Sequence, residues 1–172
     1  MNQNSYISTY ATRKSKSLEL FITLVVLLST VTFSCKKSAV EDESVLDKNL
    51  VKSAKKYQAL VSGREDRPGS FEIKNIQRAD DILTVTVEGD CNEIDFQVVW
   101  NGEILLSYPA QVHLVIYKKS SASCAAGDGT EVEIDLSKII KDPNGKDFIF
   151  HVANGSKIED KSLNPDGSVS SN

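Results

Sequence analysis

Short segments of this chain alternate between apolar and polar residues, which is typical of β-strands that bury one face. Residues 83–88 have the sequence LTVTVE, and residues 131–136 repeat the alternation as EVEIDL. Further segments of this kind begin near Phe71, Ile94, Ile104, Gln111 and Phe148. About seven short strands separated by turns predict an all-β fold, an immunoglobulin-like antiparallel β-sandwich over residues 70–153.

Glycine and asparagine mark the sharpest expected turn. Asn101 and Gly102 form the dipeptide most typical of a type I′ hairpin. We therefore expect two antiparallel strands here, one ending at Trp100 and the next beginning at Ile104. In the strand that begins near Phe71, the apolar residues change from one face to the other, which predicts a β-bulge near Asn75.

The segments on either side of the strands have other patterns. From Val45 to Val61, apolar residues recur at steps of three and four, which predicts one amphipathic helix over residues 44–62, capped by Ser44. We expect it to cover an edge or a face of the sheet, with a partner-docking helix or a disordered spacer as alternatives. Residues 154–172 are polar and turn-rich, and we expect a C-terminal tail.

The first 34 residues have the composition of a signal peptide. Arg13, Lys14 and Lys16 precede the uncharged 14-residue run LFITLVVLLSTVTF. A secretory apolar region spans about 7–15 residues, whereas a transmembrane helix needs about 20. The run is therefore too short for a comfortable membrane span and has the right length for export.

A small residue, Ser34, directly precedes Cys35 at the end of this run. The junction resembles the lipobox of bacterial lipoproteins. This resemblance implies cleavage before Cys35, a diacylglyceryl group on its thiol and an acyl chain on its new amine. Several acyl chains anchor a protein stably, whereas one alone is marginal. Phe33 departs from the pattern, and an uncleaved anchor or an ordinary signal peptide with Cys35 free are the alternatives.

The resemblance also bears on location. In this class an Asp after the cysteine retains the protein in the inner membrane, and here that residue is Lys36. The outer membrane is therefore implied, on either its periplasmic or its surface face. Residues 35–43 would form a polar tether to the membrane.

The charge of the mature chain limits its partners. Loss of the leader removes three of the 20 Lys and Arg and one of the 24 Asp and Glu, which leaves a net charge of −6. An acidic protein is repelled by anionic lipid headgroups, so the lipid rather than the protein surface is expected to bind the membrane. A nucleic-acid partner would require a basic face and is not expected.

Two cysteines remain after Cys35. An export signal implies an oxidising compartment, in which such a pair usually forms a disulfide. We predict a structural bridge between Cys91 and Cys124. A redox pair would favour a C-x-x-C motif, and a zinc site would need histidines at ligand spacing; both are missing from the sequence.

Residues 89–124 contain the pattern G-x-C-x-E-x-x-F-x-x-x-W-x-G, then Y-P-x-Q-x-x-L, then a second Cys. Its positions are Gly89, Cys91, Glu93, Phe96, Trp100, Gly102, Tyr108, Pro109, Gln111, Leu114 and Cys124. This block resembles a group of small bacterial lipoproteins of unknown role, which often have His at the position of Ile94. The resemblance implies a fold and a location, and no activity.

Acidic residues are concentrated around Cys91. Hard cations such as Ca²⁺ bind several carboxylate or carbonyl oxygens, so a weak cation site is one interpretation and a solvated acidic rim is the other. The four residues of this acidic group are Glu88, Asp90, Glu93 and Asp95.

The histidines and aromatic residues offer further candidates. His113 and His151 have the outward parity of their strands, and we expect two exposed side chains, because a shared metal site would need adjacent strands and a third ligand. Trp100, Tyr108 and Tyr117 are a candidate platform for a sugar, although the parity of Trp100 favours the core.

The sequence contains no nucleophile elbow, no H-E-x-x-H and no phosphate-binding loop. We therefore expect no catalytic residue, no cofactor and no resident metal. The favoured function is a lipid-anchored extracytoplasmic β-sandwich that acts as a non-catalytic binding or envelope accessory module, with a glycan or an envelope protein as partner. A small carboxylate-dependent envelope hydrolase and a purely structural envelope protein are the alternatives.

Overall fold

A computed structural model describes residues 43–64, 70–141 and 147–171. The predicted signal peptide, Cys35 and all but the last residue of the tether lie outside these ranges. Within the described residues, no helix is long and apolar enough to cross a membrane. The helix is α1 (Ala54–Ser62), and the strands are β1 (Ser44–Val45), β2 (Leu50–Lys52), β3 (Ile73–Ala79), β4 (Ile82–Val87), β5 (Phe96–Leu105), β6 (Ala110–Lys118), β7 (Thr130–Asp135), β8 (Phe148–Asn154), β9 (Lys161–Leu163) and β10 (Val169–Ser171).

The strands form two sheets that pack face to face. The large sheet has the order β1-β2-β5-β6-β8-β9-β10, and the small sheet has the order β3-β4-β7. This confirms a mostly β, sandwich-like fold with one helix in the described residues. The strand pairs β2–β5 and β6–β8 are parallel, so the prediction of a wholly antiparallel sandwich is wrong. Each parallel pair is joined by a crossover through the small sheet, and the immunoglobulin-like topology is not confirmed.

The core lies between the two sheets, where most of the alternating positions predicted to face inward are buried. Phe71 and Phe96 pack edge to face within it, with ring centroids 5.3 Å apart. Burial of each large apolar side chain contributes about 1.5–3 kcal/mol. The predicted positions found buried are Leu83, Val85, Val87, Phe96, Val98, Trp100, Val112, Leu114, Ile116, Val132, Ile134, Leu136, Phe150 and Val152.

The helix is half as long as the sequence pattern predicted. Residues 44–52 form β1 and β2, and α1 begins at Ala54 with Ser53 as its N-cap, whose hydroxyl accepts a hydrogen bond from the Lys56 amide at 3.2 Å. The prediction failed because Leu50 and Val51 are both buried, one on each face of β2. Consecutive apolar residues in a strand covered on both faces can mimic helical spacing.

Helix α1 covers the outer face of the large sheet, as expected. Its Leu60 packs against Val99, Val115 and Ala153 from three neighbouring strands. This second apolar layer explains why residues of both parities are buried in β5 and β6.

The predicted hairpin at Asn101 is absent, because β5 runs without interruption through this point. The pairing register shifts between Trp100 and Ile104, and Gly102 adopts a φ of +92°. A glycine with positive φ suits a bulge as well as a type I′ turn, so the dipeptide identified the conformation of Gly102 but not the course of the chain.

Two other local predictions have opposite outcomes. The register of β3 against β4 shifts between Ile73 and Asn75, which confirms the bulge. Ile94 was expected on the inward face of a strand, but it lies in a 3₁₀ turn, Glu93–Asp95, and is 67% exposed. Apolar and polar residues already alternate from Ile94, but the strand begins only at Phe96, so the pattern predicted a strand that starts too early.

The expected polar tail is part of the sandwich. Strand β9 pairs with β8, and its Leu163 is 4% exposed, so the tail prediction is wrong. A strand at this position needs only backbone hydrogen bonds and one apolar residue to join the sheet, which leaves a weak sequence signal. A turn at residues 164–167 connects β9 to β10, with the Gly167 amide donating to the Asn164 carbonyl at 3.0 Å.

Candidate functional site

A groove of about 610 Å³ opens between the sheets at one end of the sandwich. Phe148, Phe150 and Leu163 contribute from the large sheet, while Arg78 and the β3–β4 turn contribute from the small sheet. The groove lies where the sandwich ends. Phe148 is the first residue of β8, and its side chain is only partly buried there.

The groove has an aromatic floor covered by a cation. The rings of Phe148 and Phe150 stack with centroids 6.1 Å apart, and the Arg78 guanidinium lies 5.5 Å from the Phe150 centroid. The Nε–H of Arg78 donates to the Asp80 carbonyl at 2.8 Å. Asp80 has a φ of +51°, a left-handed conformation that Asp tolerates better than most residues. The tight turn therefore holds Arg78 over the ring of Phe150.

The chemistry of this groove suits a small polar molecule with one apolar face. Its volume falls within the range of about 300–1,000 Å³ that is typical of ligand sites. The partly buried ring of Phe148 offers a flat apolar surface, and the rim offers Arg78, Asp81 and the side chain of Asn164 as donors and acceptors.

The sequence analysis did not identify this groove. Arg78 follows Ile76 at the inward parity of β3, and it faces Leu83 in the register with β4. An arginine at an inward position near a strand end was the available signal, since such a residue needs a partner or an opening at the edge of the core.

The two histidines form a second cluster, on the outer face of the large sheet. His113 and His151 are register partners, and their rings stack with centroids 4.6 Å apart. The ring nitrogens of His151 lie 2.8 Å from Ser162 Oγ and 3.1 Å from Gln111 Oε1. His113 Nε2 is buried and has no hydrogen-bond partner among the described residues.

This arrangement corrects the prediction of two exposed histidines. Both rings are partly buried, because parallel pairing of β6 and β8 brings two outward positions side by side. Burial lowers the pKa of His113; burial, and after it the charge of His113, lowers the pKa of His151. Both shifts favour the neutral imidazole.

The disulfide between Cys91 and Cys124 is present, with Cα atoms 5.0 Å apart. It joins the end of β4 to the loop after β6. The Thr130 hydroxyl accepts a hydrogen bond from the Cys91 amide at 2.8 Å. Gly89 has a φ of +85°, and a Cβ there would lie 2.8 Å from Cys124 Cβ, so glycine is required on both counts.

The four acidic residues around Cys91 do not converge. Glu88 pairs with Lys74 at 3.4 Å, while Glu93 pairs with Lys48 at 3.0 Å. In the parts of the chain that are described, no three His, Cys, Asp or Glu residues are grouped so that they could hold a metal ion. The environment is that of separate surface ion pairs.

The predicted aromatic platform is not assembled. Trp100 is 8% exposed and donates from Nε1 to the Glu103 carbonyl at 3.1 Å, which confirms its place in the core. Tyr117 donates to Gln97 Oε1 at 2.6 Å, and Tyr108 is 90% exposed beyond the other end of β6. About 20 Å of strand separates the two tyrosines.

The structure does not describe residue 35, so the lipidation site remains a prediction. No protein-family model matches this chain, and no curated protein or solved structure matches it either.

Proposed function

We propose that this protein is a lipid-anchored extracytoplasmic module that binds an envelope glycan and does not catalyse a reaction. The observation that carries the proposal is the groove at the end of the sandwich, which Phe148 and Phe150 line and in which Arg78 lies above the Phe150 ring. The compartment is inferred from the lipobox resemblance at Cys35, and the Cys91–Cys124 bridge fits an oxidising environment.

A sugar ring matches the two surfaces of this groove. Its C–H face would pack on the half-buried ring of Phe148, since aromatic faces favour flat apolar partners with weakly positive hydrogens. Its hydroxyl groups both donate and accept, so they can pair with the Arg78 guanidinium and the Asp81 carboxylate together. An acidic sugar would gain a charge-assisted bond to Arg78.

The binding experiment compares two charge-removing variants on one strand. We expect a panel of envelope oligosaccharides to contain a ligand whose affinity falls about tenfold or more in Arg78→Gln, as loss of a hydrogen bond to a charged group implies. Lys74→Gln is the matched control, because Lys74 lies on β3 outside the groove and pairs with Glu72 and Glu88.

Two results would contradict the glycan proposal. One is a panel in which no oligosaccharide binds, and another is equal loss of affinity in both variants. Robust turnover of an envelope substrate would contradict the non-catalytic role.

The anchor requires its own measurement. Labelling of cells with a palmitate analogue should mark the wild-type protein and leave Cys35→Ser unlabelled, and mass spectrometry should place the new N-terminus at Cys35. An unlabelled wild-type chain that keeps its leader would contradict the proposed compartment.

A further inference from the structure

The loop between β5 and β6 projects apolar side chains into solvent. Leu106 is 93% exposed and Tyr108 is 90% exposed, and the adjoining Leu105 at the end of β5 is 44% exposed. Isolated exposed apolar residues are common on soluble proteins, but neighbouring ones at a loop tip mark a contact surface.

This loop is held by its own hydrogen bonds. The Ser107 hydroxyl donates to the Pro109 carbonyl at 2.6 Å and accepts from Gln111 Nε2 at 3.1 Å. The hydroxyl of Ser107 is bonded within the loop, while Leu106 and Tyr108 on either side of it are exposed. The exposure is thus built into the loop.

The loop lies within reach of the predicted anchor point. In register, Ser44 pairs with Lys52, and Lys52 pairs with Trp100. The loop therefore begins about 20 Å farther along β5 and about 10 Å across the sheet from Ser44. The nine residue steps from Cys35 to Ser44 span up to about 30 Å when extended. A chain anchored at Cys35 can therefore place this loop on the membrane that holds its lipid.

We propose that the β5–β6 loop is a second membrane contact, in which Leu106 and Tyr108 enter the interfacial region of the bilayer. This inference rests on the lipid anchor of the proposed function. Tyrosine is enriched at membrane interfaces, where its ring is apolar and its hydroxyl remains hydrated. Two side chains alone would hold a free protein weakly, but a short tether gives an effective concentration of about millimolar.

The contact is apolar rather than electrostatic. The mature chain is acidic, and the exposed charged residue nearest the loop on β5 is Glu103, so anionic headgroups offer no attraction. We therefore expect the contact to be insensitive to salt, in contrast to binding through a basic patch.

The experiment uses the full chain in bacterial cells, with a photoreactive phenylalanine analogue at position 106. The matched control carries the analogue at position 94, since Ile94 is 67% exposed and lies in the turn before β5, at the opposite end of that strand. After irradiation, mass spectrometry of the purified protein identifies adducts with phospholipid or with lipid A, which distinguishes the leaflet. We expect lipid adducts several-fold more abundant at position 106 than at position 94.

Equal adduct yields at the two positions would overturn the contact, as would a predominant adduct with another protein at position 106. The same samples are labelled with the palmitate analogue. Labelled protein with equal adducts would overturn this inference alone, whereas unlabelled protein would overturn the anchor and the inference together.

Hydrogen exchange tests the contact without a bulky substitution. Lipidated wild-type protein in phosphatidylethanolamine and phosphatidylglycerol vesicles is compared with Cys35→Ser in solution. We expect slower exchange at the amides of residues 106–108 in the vesicle sample and unchanged exchange at residues 93–95. Equal exchange at residues 106–108 would overturn the proposal.

Discussion

His113 and His151 are paired in register on the parallel strands β6 and β8, and their ring planes are within 20° of parallel. They are the two histidines of the chain, so all of its imidazole titration takes place in this stack. Protonation of both rings would place two positive charges face to face in a partly buried site. The stack therefore favours the neutral form of each ring.

The histidine stack should make the free energy of unfolding depend on pH, in a range that lies above the one in which carboxylates titrate. In the unfolded chain each imidazole binds its proton near pH 6.5, and in the folded protein the pKa of both is lower. Between these values the unfolded chain holds more protons, so the free energy of unfolding falls as pH falls through this window. Full stability is present above about pH 6.5.

Urea unfolding at about pH 7.5 and about pH 5.5 measures this dependence. We expect the difference in midpoint to shrink in His113→Gln and in His151→Gln, and to shrink further in the double variant. In His113→Gln the pKa of His151, followed by NMR, should rise because a repelling charge is gone. An unchanged pH difference in the double variant would show that other groups dominate.

The sequence predicted the sandwich core but not the topology of the large sheet. The alternation at Leu83, Val85 and Val87 survives in the structure, because one face of β4 is buried and the other is polar. At Leu50 and Val51 both faces of the strand are covered, so apolar and polar residues no longer alternate there. The spacing of the apolar residues therefore predicted a helix. Parallel pairing has no local signature, since it depends on a crossover.

The candidate sites also divide into those that the sequence predicts and those that depend on the topology of the sheets. The cysteine pair was predictable, since the compartment alone predicts that Cys91 and Cys124 pair. The groove and the histidine stack were not, because each joins residues from strands that are distant in sequence, such as Arg78 with Phe150. Outward parity was correct for His113 and His151, but their burial depends on being neighbours.

The disulfide should supply a large share of stability. It closes a loop with a sequence separation of 33, and the loop-entropy estimate for such a bridge is about 3–4 kcal/mol. In a Cys35→Ser background, replacement of both Cys91 and Cys124 by Ser should lower the free energy of unfolding by this amount in urea titration. Reductant should produce a similar loss in the parent and none in the double variant. A loss below about 1 kcal/mol would mean that the hydrogen bonds of Thr130 and those between Asp90 and Ala125 hold this end without the disulfide.

Asn154 should be among the most sensitive polar positions. It is fully buried; its Nδ2 donates to the Phe71 carbonyl at 2.7 Å, and its Oδ1 accepts from the Ser156 amide at 2.9 Å. Asn154→Ala leaves both backbone groups without a partner, and we expect a cost of about 2–4 kcal/mol in urea unfolding. Asn164→Ala is the control, since its bond to Ser168 is exposed and should contribute less than about 0.5 kcal/mol. Equal effects of the two variants would contradict this account.

Two truncations distinguish a detachable tail from a structural one. A chain that ends at Asn154 lacks β9, which uncovers Phe150 and leaves Ser162 unavailable to His151, so we expect loss of cooperative thermal unfolding by circular dichroism. A chain that ends at Ser168 lacks only β10, whose three residues are all exposed, and it should lose no more than about 1 kcal/mol. A wild-type transition in the shorter chain would mean that β9 is dispensable and that the polar composition of residues 154–172 was the better guide. The reverse order of stability would contradict this account, since the longer chain keeps the buried side chain of Leu163 in the core.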